Sequence, residues 1–113
     1  MEKDEIIRRI RHVLSSQPRL RIAYLYGSLL SRDDFRDIDI ALLIDDESGM
    51  DNPAFVARVG TLLEEALEFR HECDVRILNQ SPVWFMYEVI STGIPVYVRT
   101  EEDRCDFETR VLA

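Results

Sequence analysis

The sequence predicts an α/β fold in which helices pack on a small mixed β-sheet of about four strands. Segments with apolar residues at helical spacing alternate along the chain with short β-branched or aromatic runs. One such run, residues 37–44, alternates in its first half and is continuously apolar in its second, which is typical of a central strand. The length of 113 residues suits one core, so we expect a single domain over residues 1–113.

Each element is predicted from apolar periodicity and from the residues that end it. Four runs are predicted as strands: residues 22–26, 37–44, 73–78 and 94–98, the last at an edge because it contains Pro95. Four segments are predicted as helices. The first and the last are residues 5–16 and 100–112. Between them, one helix is expected to begin at Pro53 and reach Ala66, and another to be capped by Ser81 and Pro82 and to run to about Ser91. Thr100 is expected to cap the last helix, and residues 45–52 are expected to form an acidic loop.

Charge and composition exclude several classes of protein. The 14 Lys and Arg residues against 22 Asp and Glu give a formal charge of -8, which disfavours direct binding to nucleic acid or to anionic lipid. The chain starts with charged residues, and its longest aliphatic run, residues 40–44, is too short to cross a bilayer. Only Cys73 and Cys105 are present, and we expect both as reduced thiols. We therefore expect a cytoplasmic protein without membrane contact.

The candidate chemistry begins with Asp37 and Asp39. Residues two apart in a strand share a face, and two carboxylates about 4 Å apart repel by about 4 kcal/mol at an effective dielectric of 20. A divalent ion would relieve that repulsion, and hard oxygen ligands favour Mg²⁺ or Mn²⁺. Asp74 begins the next predicted strand and could join them, so that three carboxylates would hold two metal ions. A solvated strand entry is an equally good explanation of Asp37 and Asp39 taken alone.

A second pattern lies just upstream, where the strand that ends at Tyr26 leads into Gly27 and Ser28. A glycine turn followed by a hydroxyl at a helix start would expose backbone N–H groups to an anion. An isolated Gly-Ser pair is more often an ordinary turn between a strand and a helix. Its combination with Asp-x-Asp is more specific than either pattern alone.

These motifs together resemble the DNA-polymerase-β-like nucleotidyltransferases, and within them the minimal nucleotidyltransferases (MNT). The resemblance rests on Tyr24-Leu25-Tyr26-Gly27-Ser28, on Asp37-Ile38-Asp39 with the apolar residues after it, and on Asp74-Val75, and it spans almost the whole chain. It implies the polymerase-β-like nucleotidyltransferase fold. The chain departs from the family pattern after Gly27-Ser28, where residues 29–32 (Leu-Leu-Ser-Arg) include no second glycine.

The resemblance also implies an activity and a partner. Asp37, Asp39 and Asp74 would be the catalytic and metal-ligating residues for two Mg²⁺ ions, and Gly27 and Ser28 would hold the β and γ phosphates of ATP. Asp74 would help to deprotonate an acceptor hydroxyl. Minimal nucleotidyltransferases act as antitoxins of HEPN ribonuclease toxins by adding AMP to a toxin tyrosine, so the expected partner is a HEPN-family toxin.

Other functions remain open on the sequence. The altered residues 29–32 favour a catalytically impaired domain that neutralises a HEPN toxin by forming a complex with it. Transfer to a small molecule such as an aminoglycoside is a weaker hypothesis, because it requires an acceptor-binding domain or a homodimer that builds one.

Four further features are assigned structural roles. We expect Arg36 to pair with Asp33 or Asp34, His71 to lie near the end of the long helix and complement its dipole, and Cys73 to be a small apolar filler. Residues 83–87 (Val-Trp-Phe-Met-Tyr) are apolar around most of a helix. Core packing is the preferred interpretation of that run, and a partner-binding surface is the alternative.

Overall fold

The computed structural model describes residues 1–47 and 51–113, which form an α/β fold with a four-stranded sheet, as predicted. The helices are α1 (Lys3–Leu14), α2 (Ser28–Ser31), α3 (Asn52–Ala66), α4 (Val83–Thr92) and α5 (Glu101–Leu112). The strands are β1 (Leu20–Tyr26), β2 (Ile38–Ile44), β3 (Cys73–Ile77) and β4 (Ile94–Val98). The middle of the predicted acidic loop, residues 48–50, lies outside the described residues.

The sheet is mixed, with the order β3-β2-β1-β4. Strand β1 pairs antiparallel with β2 and β4, and β2 pairs parallel with β3. The predictions of β2 as a central strand and β4 as an edge strand are confirmed. Because β1 runs opposite to β2 and β3, the end of β1 meets the beginnings of β2 and β3 at one end of the sheet.

Both faces of the sheet carry helices, which explains the apolar sequence of β2. Ile38, Ile40 and Leu42 pack in a core with residues of α1 and α3, whereas Ala41 and Leu43 pack with Val89 of α4 and Phe107 of α5. Asp39 therefore faces the α4–α5 side, because side chains alternate along a strand.

Side chains near the helix ends agree in part with the sequence. Thr100 accepts a hydrogen bond from the backbone N–H of Asp103, which confirms the predicted cap of α5. The expected cap of α4 by Ser81 is wrong, because the Ser81 hydroxyl donates to the carbonyl of Ile77, a residue of the preceding strand. Among the described helices, none is long and apolar enough to cross a membrane.

Candidate active site

Gly27 connects β1 to α2 in a backbone conformation that suits glycine alone. Its φ of 83° and ψ of -152° fall in a region that L side chains essentially do not occupy. A Cβ at this position would overlap the carboxylate of Asp39. The turn therefore lies directly against that carboxylate, and Ser28 follows it as the first residue of α2.

The strand register brings the predicted acidic residues to the same end of the sheet. Asp39 is aligned with Tyr26 of β1 on one side and with Asp74 of β3 on the other. Aligned residues of neighbouring strands share a face, and the strands are about 4.8 Å apart. Asp37 precedes β2 by one residue and is exposed. The structure thus places Asp74 beside Asp39, with Asp37 next to the start of the same strand.

The carboxyl group of Asp39 has a pKa that its surroundings raise. Burial raises the pKa of its carboxyl above the ordinary value, and the negative charges of Asp74 and Asp37 act in the same direction. The positive charge of Arg76 opposes them. This pattern of mutual repulsion is one that a bound cation would relieve.

Arg76 belongs to the site, although the sequence analysis did not identify it. Its Nε lies 3.3 Å from Oδ2 of Asp74, and both side chains are about half exposed. The guanidinium carbon is 5.8 Å from the ring centre of Phe85 in α4. The period-two spacing of Asp74 and Arg76 within a predicted strand was the available signal, because it places both side chains on one face.

Tyr26 is a second residue that the sequence analysis did not assign to the site. Burial raises its pKa to about 12, and the negative charge of Asp39 contributes further. Its ring packs edge-on against Phe85, with the ring centres 5.7 Å apart. Tyr26 therefore connects the carboxylates to α4.

Two depressions meet at Asp37. The larger has a volume of about 390 Å³ and is lined by Ser28, Arg32, Asp34, Phe35, Arg36, Asp37 and Asp39. The smaller, of about 200 Å³, is lined by Asp37, Glu64, Glu72, Cys73 and Asp74. The larger one falls in the size range of small-molecule sites. Its three carboxylates outnumber its two arginines, so a phosphate-bearing ligand would require a cation beside it.

The loop that departs from the family pattern is held by a local ion pair. Arg32 donates from Nε and Nη2 to the two carboxylate oxygens of Asp34, each at 2.8 Å. Its charge is therefore already balanced within the loop. In the part of the chain that the structure describes, no group of three Asp, Glu, His or Cys side chains is arranged to hold a metal ion.

Two structural expectations for nearby residues are wrong. Arg36 does not pair with the acidic residues before it, since Asp33 lies 3.5 Å from Lys3 and Asp34 pairs with Arg32. His71 does not lie near the last turn of α3, which ends at Ala66. It stacks on Phe35 with the ring centres 5.0 Å apart, and its Nδ1 donates to the carbonyl of Arg36 at 2.9 Å. His71 therefore contacts two of the residues that line the larger depression.

The apolar run at the start of α4 is largely exposed, so core packing does not account for all of it. Val83 is 65%, Trp84 68% and Tyr87 55% exposed, whereas Phe85 and Met86 pack against the core. Phe85 also contacts both Tyr26 and Arg76. Through its ring contact with Trp84, Phe85 links the exposed apolar surface formed by Val83, Trp84 and Tyr87 to the candidate site.

The two cysteines lie in different surroundings. Cys73 is partly buried against the core, as expected for an apolar filler, and burial raises the pKa of its thiol to about 12. Its backbone N–H donates to Glu64 of α3 at 3.0 Å. Cys105 is exposed on α5.

Comparisons with known proteins match this architecture. A family model described as polymerase beta nucleotidyltransferase matches residues 8–102. The chain belongs to this family. Comparison of this nucleotidyltransferase with curated protein sequences found no match.

Solved structures share the fold over nearly the whole chain. One is a tri-AMPylated Shewanella oneidensis HEPN toxin in complex with MNT antitoxin, where the match has 24% identity, a TM-score of 0.75, and coverage of 98% of this chain and 84% of the other. Another is a toxin-antitoxin with AMP-PNP, with 25% identity, a TM-score of 0.70, and coverage of 99% and 85%. A third is a nucleotidyltransferase from Sulfolobus solfataricus, with 18% identity, a TM-score of 0.51, and coverage of 86% and 80%.

Proposed function

We propose that this nucleotidyltransferase transfers AMP from ATP to a hydroxyl of a HEPN-family toxin, with Mg²⁺ as cofactor, and so acts as the antitoxin of the pair in the cytoplasm. The observation that carries the proposal is the alignment of Asp39 with Asp74, directly against the Gly27 turn. Asp37, Asp39 and Asp74 are the proposed metal ligands, and Gly27 and Ser28 the proposed phosphate-binding residues.

The residues present fit a magnesium site by the chemistry of their donors. Carboxylate oxygens are hard ligands, and the crowding of negative charge at Asp39 disfavours its ionised form unless a cation is bound. To bind the metal ion, the carboxylate of Asp74 must give up its ion pair with Arg76. When bound, two Mg²⁺ ions would balance the charge of the triphosphate and of the displaced pyrophosphate.

The chain itself contributes position and one proton acceptor. Ser28, the residue after the Gly27 turn, borders the larger depression, where a triphosphate would lie with its α-phosphorus toward Asp39. The acceptor hydroxyl gives its proton to Asp74 while its oxygen bonds to the α-phosphorus. The bond from that phosphorus to the pyrophosphate oxygen then breaks. Holding both reactants in this alignment is the main catalytic contribution of such a site.

The exposed surface of Val83, Trp84 and Tyr87 supports a protein as the acceptor. An acceptor hydroxyl must approach Asp39 and Asp74, and this apolar surface begins beside them through Phe85 and Tyr26. Exposed aromatic clusters of this kind are typical of partner-binding surfaces. One structural relative is found in a complex of MNT antitoxin with a tri-AMPylated HEPN toxin, which supports the partner class we propose.

A second candidate function is neutralisation without catalysis. The ion pair of Arg32 with Asp34 favours it, because Arg32 then brings no free positive charge to a bound phosphate. The absence of a ready three-ligand group among residues 1–47 and 51–113 points the same way.

One experiment separates the two functions. The purified protein is incubated with Mg²⁺, ATP labelled at the α-phosphate and the HEPN-family protein encoded by the neighbouring gene. We expect label on the HEPN protein, lost in Asp39→Asn and retained in Asp106→Asn, a matched change at an exposed position of α5. Neutralisation of the toxin by Asp39→Asn to the same extent as by the wild type, with no label transfer in either, would instead establish the binding function.

A further inference from the structure

Arg76 is a positively charged side chain that pairs with Asp74, one of the proposed metal ligands. It lies on β3, on the face that carries Asp74 and Asp39, and its cross-strand neighbour is the small residue Ala41. Helices α4 and α5 pack with Tyr24, Ala41 and Leu43, whereas Asp74 and Arg76 remain exposed on the edge strand. The guanidinium therefore occupies open space immediately beside the carboxylates.

We propose that Arg76 is a resident counter-ion that occupies Asp74 in the metal-free protein and must be displaced when a divalent cation binds. The inference rests on the proposed function in one respect, namely that Asp39 and Asp74 are the metal ligands. The ion pair of 3.3 Å between Arg76 and Asp74 carries it, together with the attraction that the same guanidinium exerts on Asp39.

The structure also offers the displaced side chain a second contact, with Phe85. The guanidinium already lies 5.8 Å from the ring centre of Phe85, within the range of cation–π attraction. Arg76 can keep this contact while it releases Asp74. Because a guanidinium and a divalent ion repel each other at one carboxylate, the two compete for Asp74. Arg76 thus lowers the affinity for metal while it stabilises the metal-free site.

Mn²⁺ binding measured by calorimetry and by electron paramagnetic resonance tests this role directly. We expect Arg76→Gln to bind Mn²⁺ roughly threefold to tenfold more tightly than the wild type, because loss of an exposed ion pair and of one nearby positive charge each contributes a factor of a few. Arg76→Lys keeps the charge and should stay close to the wild type. Arg8→Gln removes an exposed arginine that pairs with Glu5 on α1, across the sheet, and should change nothing.

Thermal unfolding gives a second readout on the same variants. Metal-free Arg76→Gln should melt below the wild type, and saturating Mn²⁺ should raise its melting temperature by more than it raises that of the wild type. The side chain is exposed, so the variant is expected to fold.

The outcomes distinguish this inference from the proposed function. Equal or weaker Mn²⁺ affinity in Arg76→Gln, with binding lost in Asp39→Asn, would overturn the role of Arg76 and leave the metal site standing. Undetectable Mn²⁺ binding in both the wild type and Arg76→Gln would overturn the inference and the metal-dependent function together.

Discussion

Replacement of Gly27 by alanine tests the link between the turn and the carboxylate. The backbone at Gly27 lies in a region that is essentially restricted to glycine, and the new Cβ would overlap the carboxyl group of Asp39. Asp39 would have to leave its present rotamer. Gly27→Ala therefore affects stability and the candidate site through the same contact.

The size of the effect follows from these two costs. A residue forced into that backbone region costs about 1–3 kcal/mol, and an off-rotamer Asp39 adds about 1 kcal/mol. For a chain of this length, 1 kcal/mol corresponds to roughly 4 °C in melting temperature. We expect Gly27→Ala to lower the melting temperature by roughly 8–16 °C and to abolish Mn²⁺ binding.

Calorimetry of a matched variant makes the test specific. Gly60 lies inside α3, and a Cβ there would meet only the side chain of Val75, at 4.0 Å. Gly60→Ala should therefore stabilise the protein by about 0.5–1 kcal/mol, since alanine favours a helix over glycine. Melting of Gly27→Ala within roughly 2 °C of the wild type would refute the proposed contact with Asp39.

Three further predictions concern charge and surface. The hydrogen bond from Arg99 lowers the pKa of the Asp45 carboxyl. The ionised carboxylate therefore contributes fully to the free energy of unfolding above the ordinary Asp range, and this contribution is lost as the pH falls through the lowered pKa. Arg99→Gln should reduce the loss of stability at acid pH, as measured by denaturation at a series of pH values. Ultraviolet titration should show a tyrosine ionisation near pH 12, and this ionisation should be missing in Tyr26→Phe. In Asp39→Asn its pKa should fall, because the negative charge of Asp39 helps to raise it; an unchanged pKa would contradict the proximity of Tyr26 and Asp39. Trp84→Ala should leave the melting temperature within about 2 °C of the wild type and weaken binding of the HEPN protein by roughly thirtyfold or more, whereas unchanged affinity would exclude this surface from the interface.

Elements with a local physical cause were predictable from the sequence. Strand β2 could be identified because both its faces are buried, which requires a continuous apolar run. The cap of α5 by Thr100 depends on residues three apart, and the turn at Gly27 depends on one residue type. Each of these features is encoded within a few positions.

Features that depend on the path of the chain were not predictable. Glu68 and Phe69 adopt positive φ values after α3, without a glycine or proline to indicate it, and the chain then carries His71 onto Phe35. Likewise, the composition of α4 shows that it is apolar but not which side another element covers, so the exposure of Trp84 emerged only from the structure. The pair of Arg76 with Asp74, by contrast, is encoded in their spacing of two within β3 and could have been predicted.

The unequal surroundings of the two cysteines allow one of them to be labelled selectively, so that binding of a partner protein can be measured. Cys105 is exposed, whereas burial keeps the Cys73 thiol protonated at neutral pH. A maleimide dye should therefore attach to Cys105 alone in the folded protein and to both thiols in denaturant. Labelling at α5 would report complex formation by fluorescence anisotropy in the otherwise unaltered chain.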